Sequence, residues 1–331
     1  MKRLRVAGVG AGYFSQFHLQ GWRALPEVEL VGWCDTDASK VQGLPAYRSV
    51  GELLDKAKPD LIDIVTPPET HLEIVRAVAA RDLPMICQKP LAPTYAQAVA
   101  VVDAGGKLIV HENFRWQPWY REARRLVDAG QFGKLHSVAF RLRPGDGQGP
   151  RAYLDRQPYF QRMPRLLVHE TAIHWIDTFR FLMGEVTSVF AALKKRNPVL
   201  AGEDSGYILF EFEGGATGLF DGNRLNDHVA SNPRRTMGEM WLEGEKGVLR
   251  LDGEARLWWK PHREPEAEHR YERGPDDAFG GGCCLALQRH VVRHFLDGTA
   301  LENRGTDYLA NLRIEEAVYR SGAEGRKVTL Q

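Results

Sequence analysis

The first third of the chain repeats one unit, in which an apolar run ends in small or polar residues and a helical pattern follows. Alternation of strand and helix at about 30 residues per unit is typical of a parallel, doubly wound sheet. In such sheets, ligands bind outside the carboxyl ends of the strands. The pattern therefore predicts a binding crevice where the runs end. The apolar runs cover residues 4–12, 28–37, 60–68, 84–90 and 107–116.

A glycine-rich turn follows the first predicted strand and reads Gly10-Ala11-Gly12-Tyr13-Phe14. The first glycine permits a tight turn, and the second lets the backbone approach a pyrophosphate at the N-terminus of the next helix. Serine stands in the third position of this GxGxxG pattern, where it affects helix packing more than binding. The turn predicts that a dinucleotide binds across these five residues.

Asp35 ends the second predicted strand, and Thr36 follows it. A carboxylate at this place accepts hydrogen bonds from the ribose hydroxyls of adenosine and repels a 2′-phosphate. The sequence therefore favours NAD over NADP as the cofactor. A phosphate accommodated by Thr36 leaves an NADP-linked enzyme as the alternative.

The rest of the chain changes character. Strand candidates between residues 186 and 260 are joined by tight turns, which favours an α+β domain with a large open, mainly antiparallel sheet. The predicted domains are a dinucleotide-binding Rossmann domain, 1–117, and a domain for substrate binding and oligomerisation, 118–331. Helices near 283–297 and 307–321 are expected to pack back on the first domain. Residues 144–165 form a segment that is long for a plain connection, which predicts either a lid or a substrate loop.

The composition bears on which partners the protein binds and on where in the cell it is located. The formal net charge is +1 over 331 residues, which gives no reason to expect nucleic acid as a partner. No run of eighteen apolar residues occurs, so no membrane-spanning helix is predicted. Glycines interrupt the N-terminal segment, which argues against a signal peptide. Four cysteines without a CxxC pair favour reduced thiols, and we expect a cytoplasmic protein.

The segment RLLVHETAIHWIDTFRFLMG, 165–184, is apolar enough to be a buried helix but carries several polar residues. In an α-helix Glu170 and His174 share a face and Asp177 lies nearby. His169 and His174 are five apart, roughly 140° around the helix, so the segment only imitates the HExxH zinc motif and no metal is predicted. A buried structural histidine paired with Glu170 or Asp177 remains an alternative to a catalytic one.

A charged lysine directly follows a predicted core strand, and a charge at this place suggests a functional role. Lys89 ends the strand that begins at Met85, and Pro90 prevents that strand from continuing. Oxidation of an alcohol needs a hydride acceptor, a base for the hydroxyl proton, and a charge that stabilises the developing alkoxide. A histidine suits the base, and a lysine ammonium suits the alkoxide. His174 and Lys89 are the candidates.

Together these motifs resemble the family of glucose–fructose oxidoreductase, inositol dehydrogenase and MocA (Gfo/Idh/MocA), over nearly the whole chain. The resemblance implies an NAD- or NADP-binding domain and activity on sugars and polyols. The markers are the glycine turn, His18 eight residues after its first glycine, Asp35, TPxxxH (Thr66, Pro67, His71), the EKP motif (Gln88-Lys89-Pro90) and DxGxHxxD (Glu170, Ala172, His174, Asp177).

The resemblance also implies roles for individual residues. The usual catalytic group of the family corresponds to Lys89, Glu170 and His174. Cofactor contacts are implied for residues at the ends of the strands, and substrate contacts for three residues of the second domain and its junction. The cofactor residues are Gly10, Ala11, Gly12, Tyr13, Phe14, Asp35, Thr36, Thr66, Pro67, His71, Gln88 and Lys89, and the substrate residues are Asn113, Arg115 and Asp177.

Departures from the family pattern leave alternatives open. Gln88 replaces a glutamate beside Lys89, so Lys89 itself could serve as the base. Glu170 replaces an aspartate and is one methylene longer. The stretches CQKP and HENFRWQ resemble a branch of the family that includes D-apiose dehydrogenase, which implies a pentose-like substrate. A cofactor-recycling oxidoreductase and a non-catalytic dinucleotide-binding regulator are the rival functions, and retention of Lys89 and His174 argues against the regulator.

The predicted C-terminal sheet has helices on one face only. Its other face would expose apolar side chains, and large exposed apolar patches usually mark interfaces. Family members pack these sheets face to face, so we expect a homodimer or homotetramer. The residues expected on the open face are Leu219, Leu249, Leu257 and Trp258.

Overall fold

The computed structural model describes residues 3–330, and the chain forms two compact units. The first unit is Met1–Asn113 with Cys284–Ala310, and the second is Phe114–Cys283 with Asn311–Gln331. The segment Cys284–Ala310 therefore belongs to the first unit, although it lies far along the chain.

The first unit is built on a six-stranded sheet in which every pairing is parallel. The strand order is β3-β2-β1-β4-β5-β6, which is the order of the doubly wound Rossmann sheet. The central strand β4 is buried along its whole length, because helices cover both faces of such a sheet. The strands are β1 Leu4–Val9, β2 Val28–Cys34, β3 Ala46–Tyr47, β4 Leu61–Ile64, β5 Met85–Gln88 and β6 Leu108–His111.

Eight α-helices occur in the described part of the chain. Local signals explain several of their starts: the hydroxyl of Ser49 accepts a hydrogen bond from Glu52 N–H at one helix, and that of Thr94 accepts from Gln97 N–H at another. The helices are α1 Ser15–Arg23, α2 Val50–Ala57, α3 His71–Ala79, α4 Tyr95–Gly105, α5 Pro118–Asp128, α6 Ile173–Met183, α7 Cys283–Asp297 and α8 Gly305–Glu324.

The second unit contains a nine-stranded sheet in the order β14-β13-β12-β11-β7-β10-β9-β8-β15. All pairings are antiparallel except that of β7 with β10, which places β7 near the middle of the sheet and makes it more than a simple meander. The predicted fold class is confirmed. The strands are β7 Leu135–Leu142, β8 Val186–Lys194, β9 Ser205–Phe212, β10 Thr217–Asn223, β11 Gly238–Gly244, β12 Gly247–Leu251, β13 Leu257–Pro261, β14 Ala267–His269 and β15 Val328–Thr329.

One face of this sheet packs against α6, where the rings of Phe140 and Trp175 lie 4.3 Å apart between centroids. Leu249 and Leu257 are fully buried, so their predicted position on the open face was wrong. The open face carries a row of cross-strand neighbours, which we call the sheet row. It consists of Phe190, Leu209, Leu219, Ala139, Trp241, Arg250 and Trp258.

Among residues 3–330, no helix is long and apolar enough to cross a membrane. Within the same range, no group of three or more His, Cys, Asp or Glu side chains is arranged to hold a metal ion. All four cysteines are free thiols and are buried.

Candidate active site

The glycine turn after β1 has the shape that a pyrophosphate requires. Gly10 has φ +100°, and a Cβ there would lie 2.5 Å from the carbonyl oxygen of Val65, so only glycine fits. Around Gly12 the space is open, because a Cβ there would meet no atom within 4 Å. Helix α1 begins at Ser15 with no acidic residue in its first turn, which leaves its N-terminal dipole available to an anion.

Asp35 is fixed to this turn. Its Oδ2 accepts a hydrogen bond from Ala11 N–H at 2.8 Å, and its Oδ1 accepts one from Asp37 N–H at 2.9 Å. The ammonium of Lys40 lies 3.9 Å from Oδ1. Each carboxylate oxygen can accept more than one hydrogen bond, so the group retains capacity for two ribose hydroxyls. Burial and the charge of Asp35 together raise the pKa of the neighbouring Cys34 thiol to about 11, so this thiol stays protonated.

His71 links the turns that follow β4 and β5. The ring is buried, with Nε2 2.8 Å from the carbonyl oxygen of Thr66 and Nδ1 3.0 Å from that of Leu91. Burial lowers the pKa of His71, although the two carbonyls oppose the shift. The hydroxyl of Thr70 donates to that of Thr66 at 2.8 Å. His71 therefore joins the turn at Thr66 to the turn at Leu91 through its two ring nitrogens.

Lys89 directly follows β5, at the same edge of the sheet as the glycine turn and Asp35. It is only 8% exposed, and its peptide bond to Pro90 is cis. Because β2, β1, β4, β5 and β6 are consecutive neighbours in a parallel sheet, their carboxyl ends form one row. The structure thus brings together the predicted residues of the first unit. From β2 to β6 the row is Asp35, Gly10, Thr66, Lys89 and Asn113.

His18, a marker of the family resemblance, belongs to a buried polar cluster whose other members the sequence reasoning did not find. His18 Nδ1 is 2.8 Å from Asp63 Oδ2, which also accepts from Trp22 Nε1 at 2.6 Å. The ring of His18 stacks on that of His111 at 3.9 Å. Burial alone would lower the pKa of His18, but the Asp63 carboxylate outweighs it and raises the pKa. A single acid inside the apolar run LIDIV was the signal for Asp63.

Asn113 closes the first unit and is buried. Its Nδ2 donates to the Sγ of Cys284, at the start of α7, at 3.2 Å. The side chain therefore joins the end of β6 to a helix that comes far later in the sequence.

In the second unit, Asp177 is held inside an ion-pair network. Arg115 donates to both carboxylate oxygens, at 2.7 and 2.6 Å, and Asn311 Nδ2 donates to Oδ1 at 2.7 Å. Asp177 is 1% exposed. The bidentate pair ties α6 to the segment before α5, and the Asn311 amide ties α6 to α8.

The segment predicted as one α-helix over 165–183 begins with a π-helical turn, Leu167–Ala172, and becomes α-helical only in α6. The angular positions expected for His169, Glu170 and His174 assumed a regular α-helix throughout, and the segment is π-helical over Leu167–Ala172. π-Turns of this kind are frequent at functional sites. His169 Nδ1 lies 2.6 Å from Glu315 Oε1, which accounts for one nitrogen of that ring.

His174 lies in the first turn of α6 and is largely buried. Its imidazole stacks flat on the ring of Phe114, with 3.8 Å between centroids and 7° between planes. Glu170 is half-buried one turn earlier. The packing fixes the plane of the imidazole, as a positioned acid–base group requires.

Two family models match the chain. Residues 4–109 match "Oxidoreductase family, NAD-binding Rossmann fold", and residues 120–250 match the GFO/IDH/MocA C-terminal domain. D-apiose dehydrogenase of Paraburkholderia graminis is 33% identical, over 100% of this chain and 91% of that protein. The chain belongs to the Gfo/Idh/MocA oxidoreductase family. It is therefore an oxidoreductase with an NAD-binding domain, and the predicted cofactor is confirmed.

Other members of the Gfo/Idh/MocA family are similar over the full length. D-apiose dehydrogenase of Rhizobium rhizogenes is 27% identical, over 100% of this chain and 98% of that protein. An oxidoreductase of Agrobacterium radiobacter, solved in complex with NAD⁺, L-tartaric acid and magnesium, superposes with a TM-score of 0.89 at 26% identity. The alignment covers 99% of this chain and 98% of that one. The open glycine turn and the anchored Asp35 fit this cofactor.

Proposed function

We propose that this protein is an NAD-dependent dehydrogenase of a sugar or polyol hydroxyl, with D-apiose or a similar pentose as substrate. The full-length similarity to D-apiose dehydrogenase at 33% identity carries the proposal, together with a second protein of that name at 27%. Retention of Lys89 and His174 supports turnover rather than dinucleotide binding alone. The proposed compartment is the cytoplasm, which the four free, buried thiols support.

Bound NAD supplies the hydride acceptor for the carbon that is oxidised. We propose that His174 accepts the hydroxyl proton as a neutral imidazole, while the ammonium of Lys89 stabilises the alkoxide that develops. Glu170 orients the substrate or the imidazole. The low exposure of Lys89 strengthens its electrostatic effect, because charges act more strongly where water is excluded.

The cofactor residues divide into those that would touch NAD and those that act through a neighbour. Asp35 would bind the ribose hydroxyls, and the turn at Gly12 would carry the pyrophosphate. His71 positions the Thr66 turn through its carbonyl contact. The remaining proposed contacts are Gly10, Ala11, Tyr13, Phe14, Thr36, Pro67, Gln88 and Lys89.

The proposed roles of the three substrate candidates change with the geometry. Arg115 and Asp177 satisfy each other in a bidentate pair, so we now propose that they hold α6 in place. Asn113 remains a substrate candidate at the end of β6, although its amide donates to Cys284.

Self-association through the open sheet face is proposed as well. The sheet row presents apolar side chains, among which Leu219 is 36% exposed and Leu209 is 44% exposed. A homodimer or homotetramer would bury them.

A substrate panel tests the proposed function. Purified protein is mixed with NAD or NADP and with D-apiose, other pentoses, hexoses, inositols and tartrate, and formation of reduced nicotinamide is followed by absorbance. NAD-dependent turnover that is fastest with D-apiose or a close pentose is the expected result. Higher efficiency with NADP would contradict the cofactor assignment. Dinucleotide binding without turnover across the panel would favour a non-catalytic regulator.

A further inference from the structure

The segment between β7 and the π-turn is a folded structure with its own small core. It contains a 3₁₀ turn, Pro158–Arg162, and side chains from both ends of the segment pack together with one residue from the loop after β8. The buried members of this core are Ala152, Tyr153, Phe160, Leu166 and Leu200. Such a core holds the segment in one shape, which a surface loop without contacts would not have.

A buried ion pair fastens this segment to the π-turn. Arg224, directly after β10, is 2% exposed, and its Nη2 donates to the Asp146 carboxylate at 2.9 and 3.2 Å. Its Nη1 donates to the hydroxyl of Thr171, the neighbour of Glu170. Arg156 donates to the same carboxylate at 3.0 Å. Separation of such a pair would leave an uncompensated buried charge, which is strongly destabilising. The ion pair therefore holds the segment in a fixed position against the π-turn.

Among the large apolar side chains of this segment, Tyr159 is the most exposed, ahead of Leu154. It is 52% exposed, and its ring packs edge-on against Phe160 at 4.9 Å. Phe160 in turn lies under the guanidinium of Arg224, 5.4 Å from its centre. The phenol oxygen accepts from Gln157 Nε2 at 3.1 Å, so its own hydrogen remains to be donated.

Glu170 directly precedes Thr171, the residue whose hydroxyl Arg224 contacts. Burial of part of the phenol, followed by the charge of Glu170, raises the pKa of Tyr159, so the hydroxyl stays protonated. The charge of Glu170 also acts on Arg224. Contacts of Tyr159 with Phe160, of Phe160 with Arg224, and of Arg224 with Thr171 thus connect the exposed ring to the π-turn that carries Glu170.

We propose that Tyr159 contacts the substrate and sets its specificity, and that Asp146 and Arg224 are positioning residues that hold Tyr159 beside Glu170. The ring would cover the C–H face of a sugar, and the hydroxyl would donate to one of its oxygens, since tyrosine joins a rigid apolar body to a polar end. This inference rests on the proposed function, because it assigns a residue to the same substrate site.

The first test compares Tyr159→Ala and Tyr159→Phe with the unmodified protein. Loss of the ring should raise the KM for the best sugar about tenfold or more and change the ranking of sugars, while the KM for NAD stays the same. The KM of Tyr159→Phe for this sugar should lie between those of the unmodified protein and Tyr159→Ala, because Tyr159→Phe lacks only the donated hydrogen bond. Arg151→Ala, an exposed change on the same segment that breaks only a surface pair with Asp155, is the control.

The second test is a double-mutant cycle. Asp146→Asn keeps the shape of the side chain but removes the charge that holds Arg224, and it should raise the KM for sugar. In the Tyr159→Ala background it should have no further effect on this KM, because both changes act through the same ring. Effects that multiply, or an unchanged sugar ranking in Tyr159→Ala, would overturn the inference.

A binding readout separates this inference from the proposed function. The shift in melting temperature caused by each sugar is measured with NADH present. If the unmodified protein binds sugars without turnover, the dehydrogenase proposal fails, and a smaller sugar-induced shift in Tyr159→Ala still supports the contact. Turnover with equal shifts in both proteins refutes the contact alone. Absence of both turnover and sugar binding refutes both proposals.

Discussion

The imidazole of His174 lies parallel to the ring of Phe114, with 3.8 Å between their centroids. Phe114 is itself fixed, because it packs edge-on against Trp175 at 5.2 Å. A stacked imidazole can exchange protons through its ring nitrogens but cannot rotate freely. The contact therefore links the first residue of the second unit to the proposed base.

Replacement of Phe114 by leucine should loosen the plane of His174. We expect kcat to fall about fivefold to tenfold, which corresponds to the loss of one aromatic pair, while the affinity for NADH is unchanged. Steady-state kinetics and NADH fluorescence titration measure the two quantities. Phe132→Leu is the matched control, because Phe132 is also buried and packs on an aromatic ring, that of Trp259. Equal losses of kcat in the two variants would contradict a special role for the stack.

The sequence was sufficient for the features that depend on local pattern. Five of the six strands of the first sheet were predicted, because buried parallel strands read as apolar runs that end in glycine or polar residues. The missed strand, β3, has only two residues and no apolar run of its own. The helical pattern predicted after β2 is a single 3₁₀ turn, Ala38–Lys40.

Features that depend on contacts between distant residues were missed. Arg224 and Asp146 are separated by 78 positions, and neither stands in a recognisable motif. Leu249 was predicted on the open face of the sheet, but it lies on the buried face. The alternation of residues in GVLRL separates the two faces of the strand but does not indicate which face the helices cover. The π-turn before α6 was missed because a π-turn and an α-turn have nearly the same composition.

Asp35 should control the choice of cofactor. Replacement by serine removes the acceptor for the ribose hydroxyls and the charge that repels a 2′-phosphate. We expect kcat/KM for NAD to fall about tenfold or more, since hydrogen bonds to charged groups are strong, and kcat/KM for NADP to rise. Asp37→Asn, a change in the next turn, is the control. Equal efficiency of the unmodified protein with NAD and NADP would count against this role.

The pair of His18 and Asp63 should make stability depend on pH. Since the pKa of folded His18 is raised, the pair stabilises the protein fully below the unfolded pKa of about 6.5, and this stabilisation is lost as pH rises through the higher folded value. Asp63→Asn should therefore lower the free energy of unfolding most at pH 6, by about 3 kcal/mol. At pH 9 the decrease should be smaller.

Thermal or urea unfolding of both proteins at several pH values measures that difference. Asp82→Asn removes an exposed carboxylate paired with Lys107 and serves as the control, for which we expect little change at any pH. A cost of Asp63→Asn that is constant with pH, or larger at alkaline pH, would show that His18 is not charged in the folded protein.

The sheet row should hold copies of the chain together. Leu209→Arg places a charge among apolar neighbours and should convert the assembly into 37.3 kDa monomers. Sedimentation velocity at micromolar concentration measures the mass. Val199→Arg, an exposed change in the loop after β8, is the control and should leave the assembly intact. An unmodified protein that sediments only as a monomer would refute the interface.

The identity of the base can be decided by comparing His174 with Lys89. If His174 accepts the proton, turnover rises with pH through one ionisation, because only a neutral imidazole can act as the base. His174→Asn should then lose about 10²–10⁴-fold in kcat and also lose that ionisation, while NAD still binds. Lys89→Ala should be at least as damaging, because it removes the charge that stabilises the alkoxide. Gln88 in place of a glutamate makes Lys89 the rival base. If His174→Asn retains near-normal turnover and the same pH profile, the stack on Phe114 is structural and Lys89 takes the proton.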